Sequence, residues 1–283
     1  MILEVEQLNK QYRDSAFALT DVSFSVPYGS IVGFIGENGA GKSTTMGSIL
    51  GTLRKDTGSI QIFGEEMDSD NKNMKENIGV VFDDIHLSGG LTVNKLGKVF
   101  QNIYQQWDQK TFEAYTTLFS LPKNQKISGF SRGMSMKISV AVALSHDAKL
   151  LILDEATAGL DPAGRDELLD VLKEFVKGGN RSILLSSHIT SDIEKIADSL
   201  IFIKGGKILL KIDKQILLEQ YGILQCQDYE LDQLDDHFII AIKNNGDMVD
   251  VLVSDRHQVP QSMQTKKFTI DDITLLLMRG EKA

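Results

Sequence analysis

The nine residues GENGAGKST, Gly36 to Thr44, decide the fold. They match G-x-x-x-x-G-K-[ST] and stand between a continuous apolar run, SIVGFIG (Ser30–Gly36), and a stretch whose spacing turns helical at Lys42 and stops near Gly51. Strand, glycine-rich loop and helix in that order are the context in which this pattern binds phosphate. Gly36, Gly39 and Gly41 let backbone N–H groups curl around an anion, with Asn38 and Ala40 completing the loop, and the amino end of the helix adds a positive dipole. Lys42 is placed to reach the β- and γ-phosphates of a nucleotide. Ser43 is placed to offer its hydroxyl to Mg²⁺, and Thr44 to hold the α-phosphate end.

The second half of such a site is LLILDE, Leu150 to Glu155. Four apolar residues ending in an acid put Asp154 at the carboxyl edge of a strand, where ligands gather in open α/β sheets. Asp154 then holds Mg²⁺, directly or through water, and Glu155 polarises the attacking water; positioning and charge stabilisation are most of what phosphoryl transfer needs. An acid in that place is often a helix cap, but here helical spacing resumes only near Pro162.

The rest of the chain alternates in the same way. ILEVEQL, FALTDVSFSV, SIQIFG and NIGVVF read as strands, and residues 92–120 are mostly helical, with Leu96, Val99, Phe100 and Ile103 on one face. LPKNQKISGF (Leu121–Phe130) breaks the pattern, a helix runs from Ser131 to about Ser145, and Pro162–Lys177 is another. RSILLSS is a strand, Ile189–Ala197 a helix, and SLIFIKGGKILL a hairpin about Gly205-Gly206. Strands alternating with helices imply a largely parallel sheet with crossover helices. After about Asp213 the character changes. DYELDQLDD is acidic, FIIAIKNNGDMVDVLVSD reads as a hairpin turning at Asn245-Gly246, and TIDDITLLLM as a helix capped by Thr269. The expected division is residues 1–212 and a small α+β accessory domain at 213–283, with a soft boundary near 212–222.

Bulk properties narrow the class. The 283 residues are 42% hydrophobic and 24% charged, with a net charge of −9, which argues against nucleic acid as the main partner. The one cysteine, Cys226, allows no disulfide framework and suits a reducing compartment. MILEVEQLNKQY carries no secretion signal, and apolar runs such as ISVAVAL are less than half the ~20 residues of a spanning helix.

The order GENGAGKST, LLILDEATAGLDP, LLSSH resembles the ATP-binding subunit of an ABC transporter over roughly residues 1–212. That resemblance implies an ABC-type P-loop ATPase: an α/β core, an antiparallel β subdomain, and a helical subdomain at about residues 84–146. It implies ATP and Mg²⁺ as cofactors and three further site elements. Ala158–Asp161 matches the loop that follows the acids, His188 matches the switch histidine that contacts the γ-phosphate, and Tyr12 matches the aromatic that stacks on adenine. Asp83, with Asp84 behind it, stands where relatives carry a Mg²⁺-contacting glutamine at the end of the NIGVVF-like strand. A carboxylate there still binds the cation but cannot donate a hydrogen bond as an amide does.

Two segments compete for the family's LSGGQ-like signature. LSGG at 87–90 stands about sixty residues before LLILDE and precedes LTVNKL, which places it as a turn before a helix capped by Thr92. FSRGMSMK, Phe130 to Lys137, lies at the amino end of the helix that leads to LLILDE, with Ser131 and Gly133 where the family's serine and second glycine fall. Arg132 and Met134 are departures from the family pattern; Arg132 either adds a cation near the γ-phosphate or points to solvent. SRGM-type variants, with Tyr104…Trp107-Asp108, resemble the branch serving bacterial exporters of antibiotics and amphipathic peptides, such as phenol-soluble modulin exporters. The family dimerises head to tail, so that Ser131 of one copy covers ATP held at Gly36–Thr44 of the other. The resemblance therefore implies a second ATPase subunit, itself or a paralogue, and a separate permease at the cytoplasmic face of the membrane. The alternative is an ATPase that gates a membrane protein without transport. For residues 213–283 four roles stand side by side: stabilising the dimer, docking on the permease, binding a regulator, or packing alone.

Overall fold

The computed structural model describes residues 1–13, 16–68, 70–82, 87–260, 263 and 265–281. Strands and helices are numbered in chain order. The alternating stretches LEVEQLNKQ and ALTDVSFSV form half-buried strands, β1 (Leu3–Gln11) and β2 (Ala18–Val26), paired antiparallel. With β4 (Thr57–Ile62) and β5 (Glu65–Glu66) they make a sheet of order β2-β1-β4-β5.

The main sheet has β3 (Ile31–Ile35), β6 (Ile78–Val81), β7 (Leu150–Asp154), β8 (Ser182–Ser187) and β9 (Ser199–Lys204) in parallel, in the order β9-β3-β8-β7-β6. β10 (Lys207–Asp213) closes one edge antiparallel. Every residue of β3, β7 and β8 is buried, which is why these strands read as unbroken apolar runs: both faces are covered. On one face Phe34, Ile152 and Leu184 share a core with Leu3 and Ile60 of the antiparallel sheet and with Met46 of α1 (Lys42–Ile49). On the other, Leu153 and Leu185 pack with α5 (Arg132–Ala143), α6 (Pro162–Val176) and α7 (Thr190–Ile196). The register aligns Ile35 with Ser187 and Asp154 with Ser186, so the carboxyl ends of β3, β8 and β7 stand level.

The hairpin between β9 and β10 ties the two sheets to the phosphate loop. Gly206 N–H donates to the Ala40 carbonyl at 2.9 Å, and its own carbonyl accepts from Thr20 N–H at 2.9 Å. A Cβ at Gly206 would sit 1.8 Å from the Ala18 carbonyl oxygen, so glycine is required at this crossing.

The helical stretch expected over 92–120 is broken in two, α3 (Val93–Gln101) and α4 (Gln109–Leu118). Asp108 starts the second by accepting from Lys110 N–H at 2.9 Å. A short α2 (Lys72–Glu76) leads into β6. Beyond Asp213, α8 (Lys214–Gln220) precedes a third, antiparallel sheet of order β12-β13-β11-β14, and α9 (Ile270–Arg279) follows it. Its strands are β11 (Gly222–Cys226), β12 (Ile239–Asn245), β13 (Met248–Val253) and β14 (Thr265–Lys266). The expected hairpin is β12–β13, with Asn245 opposite Met248, so its turn is Gly246–Asp247. Ile223, Leu252 and Ile273 join the main core alongside Ile193 and Leu200. Among the described residues no helix is long and apolar enough to cross a membrane.

A buried ring pins the α3–α4 link to the end of α2. The His146 imidazole is fully buried and lies flat on Tyr104, centroids 3.9 Å apart at 6°. Its Nδ1 is 2.9 Å from the Glu76 carbonyl, while Nε2 is buried with no hydrogen-bond partner. Burial pushes the ring's pKa below its ordinary value of about 6.5. The folded ring is thus neutral where the unfolded chain already takes up a proton. Its contribution is full above the ordinary value and is lost as pH falls through it. The thermal midpoint is expected to fall between pH 7.5 and pH 5, and His146→Phe, which keeps the stack but cannot titrate, to flatten that fall; equal slopes in scanning calorimetry would refute it.

Candidate nucleotide site

The phosphate loop opens where β3 ends. Gly41, in the left-handed region at φ 115°, is the N-cap of α1 and brings no side-chain cap, so the first N–H groups of the helix are left for an outside acceptor. Lys42 is 6% exposed. Its Nζ donates to the carbonyls of Gly36 (2.7 Å) and Glu37 (3.3 Å) and lies 3.4 Å from Glu155 Oε1. The ammonium group is therefore held in place before any phosphate arrives. Phe17, Asn38, Gly39, Gly41, Lys42, Ser43, Thr44, Asp154 and Glu155 line a cleft of about 370 Å³ above the loop.

The two acids have distinct environments. Asp154 Oδ2 accepts from Ser43 Oγ at 2.6 Å, and Oδ1 accepts from the fully buried Ser186 hydroxyl. A hydroxyl and a carboxylate oxygen in contact form a hard donor set suited to Mg²⁺, with phosphate and water supplying its other ligands. Glu155 sits at φ +55°, a left-handed conformation costing a non-glycine residue on the order of 1–3 kcal/mol where it is sparsely populated. Its N–H donates to Ser186 Oγ at 3.1 Å, and its Oε2 accepts from His188 N–H (3.2 Å) and lies 2.6 Å from His188 Nδ1. Oε1 is buried and accepts no hydrogen bond. One carboxylate oxygen is thus anchored, and the other, beside Lys42, has an acceptor position left over.

The other residues singled out in the sequence fall into four groups. Tyr12 is half-buried outside the cleft lining, its hydroxyl 3.4 Å from Thr44 Oγ1 and its ring centroid 6.4 Å from Phe17; Phe17, which sequence reasoning passed over, is the aromatic that lines the cleft. Ser131 caps α5, accepting from Met134 N–H at 3.2 Å, and Asp161 caps α6, accepting from Gly164 N–H at 3.3 Å. These two helix starts pack together: a Cβ at Gly133 would meet the Gly159 carbonyl at 3.1 Å. Ser131, Arg132, Gly133 and Met134 stand outside the lining of the same chain's cleft. Leu87–Gly90 form a turn in which Gly89 O accepts from Ser128 N–H at 3.0 Å, just ahead of the Thr92 cap of α3. Asp83 and Asp84 lie outside the described residues.

Comparison with known proteins agrees with this geometry. The family model described as "ABC transporter" matches residues 19–158. The chain is 34% identical to the lantibiotic transport ATP-binding protein SrtF of Streptococcus pyogenes over 74% of its own length and 90% of that protein's. It is 33% identical to the bacitracin transport ATP-binding protein BcrA of Bacillus licheniformis, over 75% of this chain and 69% of that one. The chain belongs to the ABC transporter family. A solved ATP-binding subunit of an ABC transporter superposes with a TM-score of 0.69 at 28% identity, covering 77% of this chain and 92% of that one. The α/β core with its antiparallel sheet is thus the P-loop ATPase cassette, the chain is an ATP-hydrolysing subunit that binds ATP, and such subunits work with a membrane permease.

Within this family the anchored and unanchored oxygens of Glu155 lead to a direct expectation. Glu155→Gln keeps the shape of the side chain and removes its basicity, so turnover falls by about 10²–10⁴ while ATP affinity holds; phosphate release and nucleotide binding are the measurements. Ser131→Ala is expected to lower turnover and Ser88→Ala to leave it, a comparison that reverses if the 87–90 turn is the signature.

Proposed function

We propose that this subunit drives export, with residues 1–212 as the motor and 213–283 as an accessory domain. The observation that carries the reading is the convergence of Lys42, the Ser43–Asp154 pair and the Glu155–His188 pair at the level ends of β3, β7 and β8. In this reading the α1 amino end and Lys42 hold the β- and γ-phosphates, and Tyr12 and Phe17 flank the base. Ser43 and Asp154, with Asp83 as a further ligand, would hold Mg²⁺, which would supply charge neutralisation at the phosphate oxygens. Glu155 Oε1 accepts a hydrogen bond from the water that attacks the γ-phosphorus. The bond to the β,γ-bridging oxygen breaks, and ADP and phosphate leave. His188, engaged through Nδ1, offers Nε2 to the γ-phosphoryl group.

Ser131–Met134 and Asp161 stand outside their own cleft, which supports a head-to-tail dimer in which they cover the nucleotide of the partner. Nucleotide drives such a motor only if it binds the closed pair more tightly than the open one. The names of the relatives, bacitracin and lantibiotic transport, support antibiotic peptides as the cargo class, and the SRGM variant supports export of amphipathic peptides by a permease, with this subunit peripheral at the cytoplasmic face. His188→Ala is expected to lose about two orders of magnitude or more of turnover. With the permease in inside-out vesicles, ATP-dependent uptake of an amphipathic peptide is expected and should vanish in Glu155→Gln. Hydrolysis with no flux of any peptide would favour the gating alternative.

A further inference from the structure

α7 is the short helix that follows the His188 loop, and the segment beyond Asp213 holds it at both ends. At its first residue, the buried Thr190 donates from Oγ1 to Asp271 Oδ1 of α9 at 3.1 Å. Toward its last turn the Glu194 carbonyl accepts from Lys214 Nζ of α8 at 3.0 Å. Between them Ile193 and Ile196 share a buried core with Ile270 and Ile273.

The first turn of α7 is also approached by α6, Arg165 Nε lying 3.6 Å from the buried Asp192 Oδ2. The N-cap residue of α7, Ile189, offers no side-chain hydrogen bond; the loop before it is braced by His188 N–H donating to Glu155 Oε2 at 3.2 Å and by Ser187 Oγ accepting from Ile189 N–H at 2.9 Å. α9, in contrast, is firmly begun. Thr269 and Asp272 form a reciprocal capping box, with Thr269 N–H donating to Asp272 Oδ2 at 2.8 Å and Asp272 N–H donating to Thr269 Oγ1 at 3.2 Å. Asp271 therefore projects from a fixed helix start onto a less constrained one, two residues from His188.

We propose that Asp271 is a positioning residue for ATP hydrolysis. Acting through Thr190, it sets the start of α7 and hence the placement of His188 on Glu155 Oε2, so the C-terminal segment tunes the turnover of the nucleotide site. Anything that moves α9 would then be felt at the catalytic pair. This rests on the reading that His188 acts at the γ-phosphoryl group.

The test is steady-state ATPase of the full chain at saturating Mg²⁺ and ATP, with kcat and KM separated and thermal midpoints recorded. Asp271→Ala is expected to lower kcat about three- to ten-fold, the scale of one lost positioning hydrogen bond, with KM for ATP and the midpoint almost unchanged. Asp271→Asn and Thr190→Ser keep an acceptor and a donor and are expected to stay near the parent rate. Thr190→Val should match Asp271→Ala, and the double variant should be no worse than either. An unchanged kcat in Asp271→Ala overturns the proposal, and so does an equal loss in Asp271→Asn, which would place the effect on charge. Full turnover in His188→Ala would instead remove the reading beneath it.

Discussion

The carboxylate of Asp154 is the contact on which the site depends. It ends a strand whose five residues are all buried, so its position is set by the sheet. Its two oxygens accept from two hydroxyls, Ser43 in the first turn of α1 and Ser186 near the end of β8. Ser186 is shared again, since its oxygen also accepts from the Glu155 N–H. A buried carboxylate is tolerated when its lone pairs are used and costly when they are not. Here that requirement draws the loop, the acids and the switch segment to one point, because only the level ends of β3, β7 and β8 bring those hydroxyls within reach.

Glu155 shows the other side of this arrangement. Its backbone is left-handed, a conformation that persists because Ser186 and the His188 amide over-determine it. The strain turns one oxygen into a bound anchor and leaves the other beside Lys42. A relaxed backbone at this position would direct the side chain elsewhere and separate the carboxylate from the ammonium.

What could be read in the chain followed the range of its physical cause. GENGAGKST and LLILDE are local: strand, turn and helix signals sit within a dozen residues, and burial on both faces leaves unbroken apolar runs. The 87–90 and 130–137 segments differ in place: the first is a turn ahead of the Thr92 cap of α3, the second begins the helix before β7, where the family resemblance expects a signature. Phe17 was missed because its role arises from the folding of the β1–β2 hairpin over the loop; Tyr12 satisfies the same sequence rule while its hydroxyl turns to Thr44. α8 and β11 were missed for another reason. Seven and five residues carry too little periodicity, and the Asp213 cap, which accepts from Gln215 and Ile216 N–H groups, lay at the boundary drawn between the two parts.

That boundary is where pattern and packing diverge. A change of composition near Asp213 suggests a separate unit, and the third sheet does have a core of its own around Val251 and Val253. Yet its opposite face, through Ile223 and Leu252, is buried with Ile193 and Leu200 of the ATPase. An apolar face shared in this way cannot be opened without exposing both sides to water, at roughly 25 cal/mol for each Å² of apolar surface. Motion of the segment as a whole is therefore expensive, while small shifts of α9 along α7 leave most of that burial intact. The packing thus favours transmission of small displacements toward the His188 loop over independent movement of the C-terminal sheet.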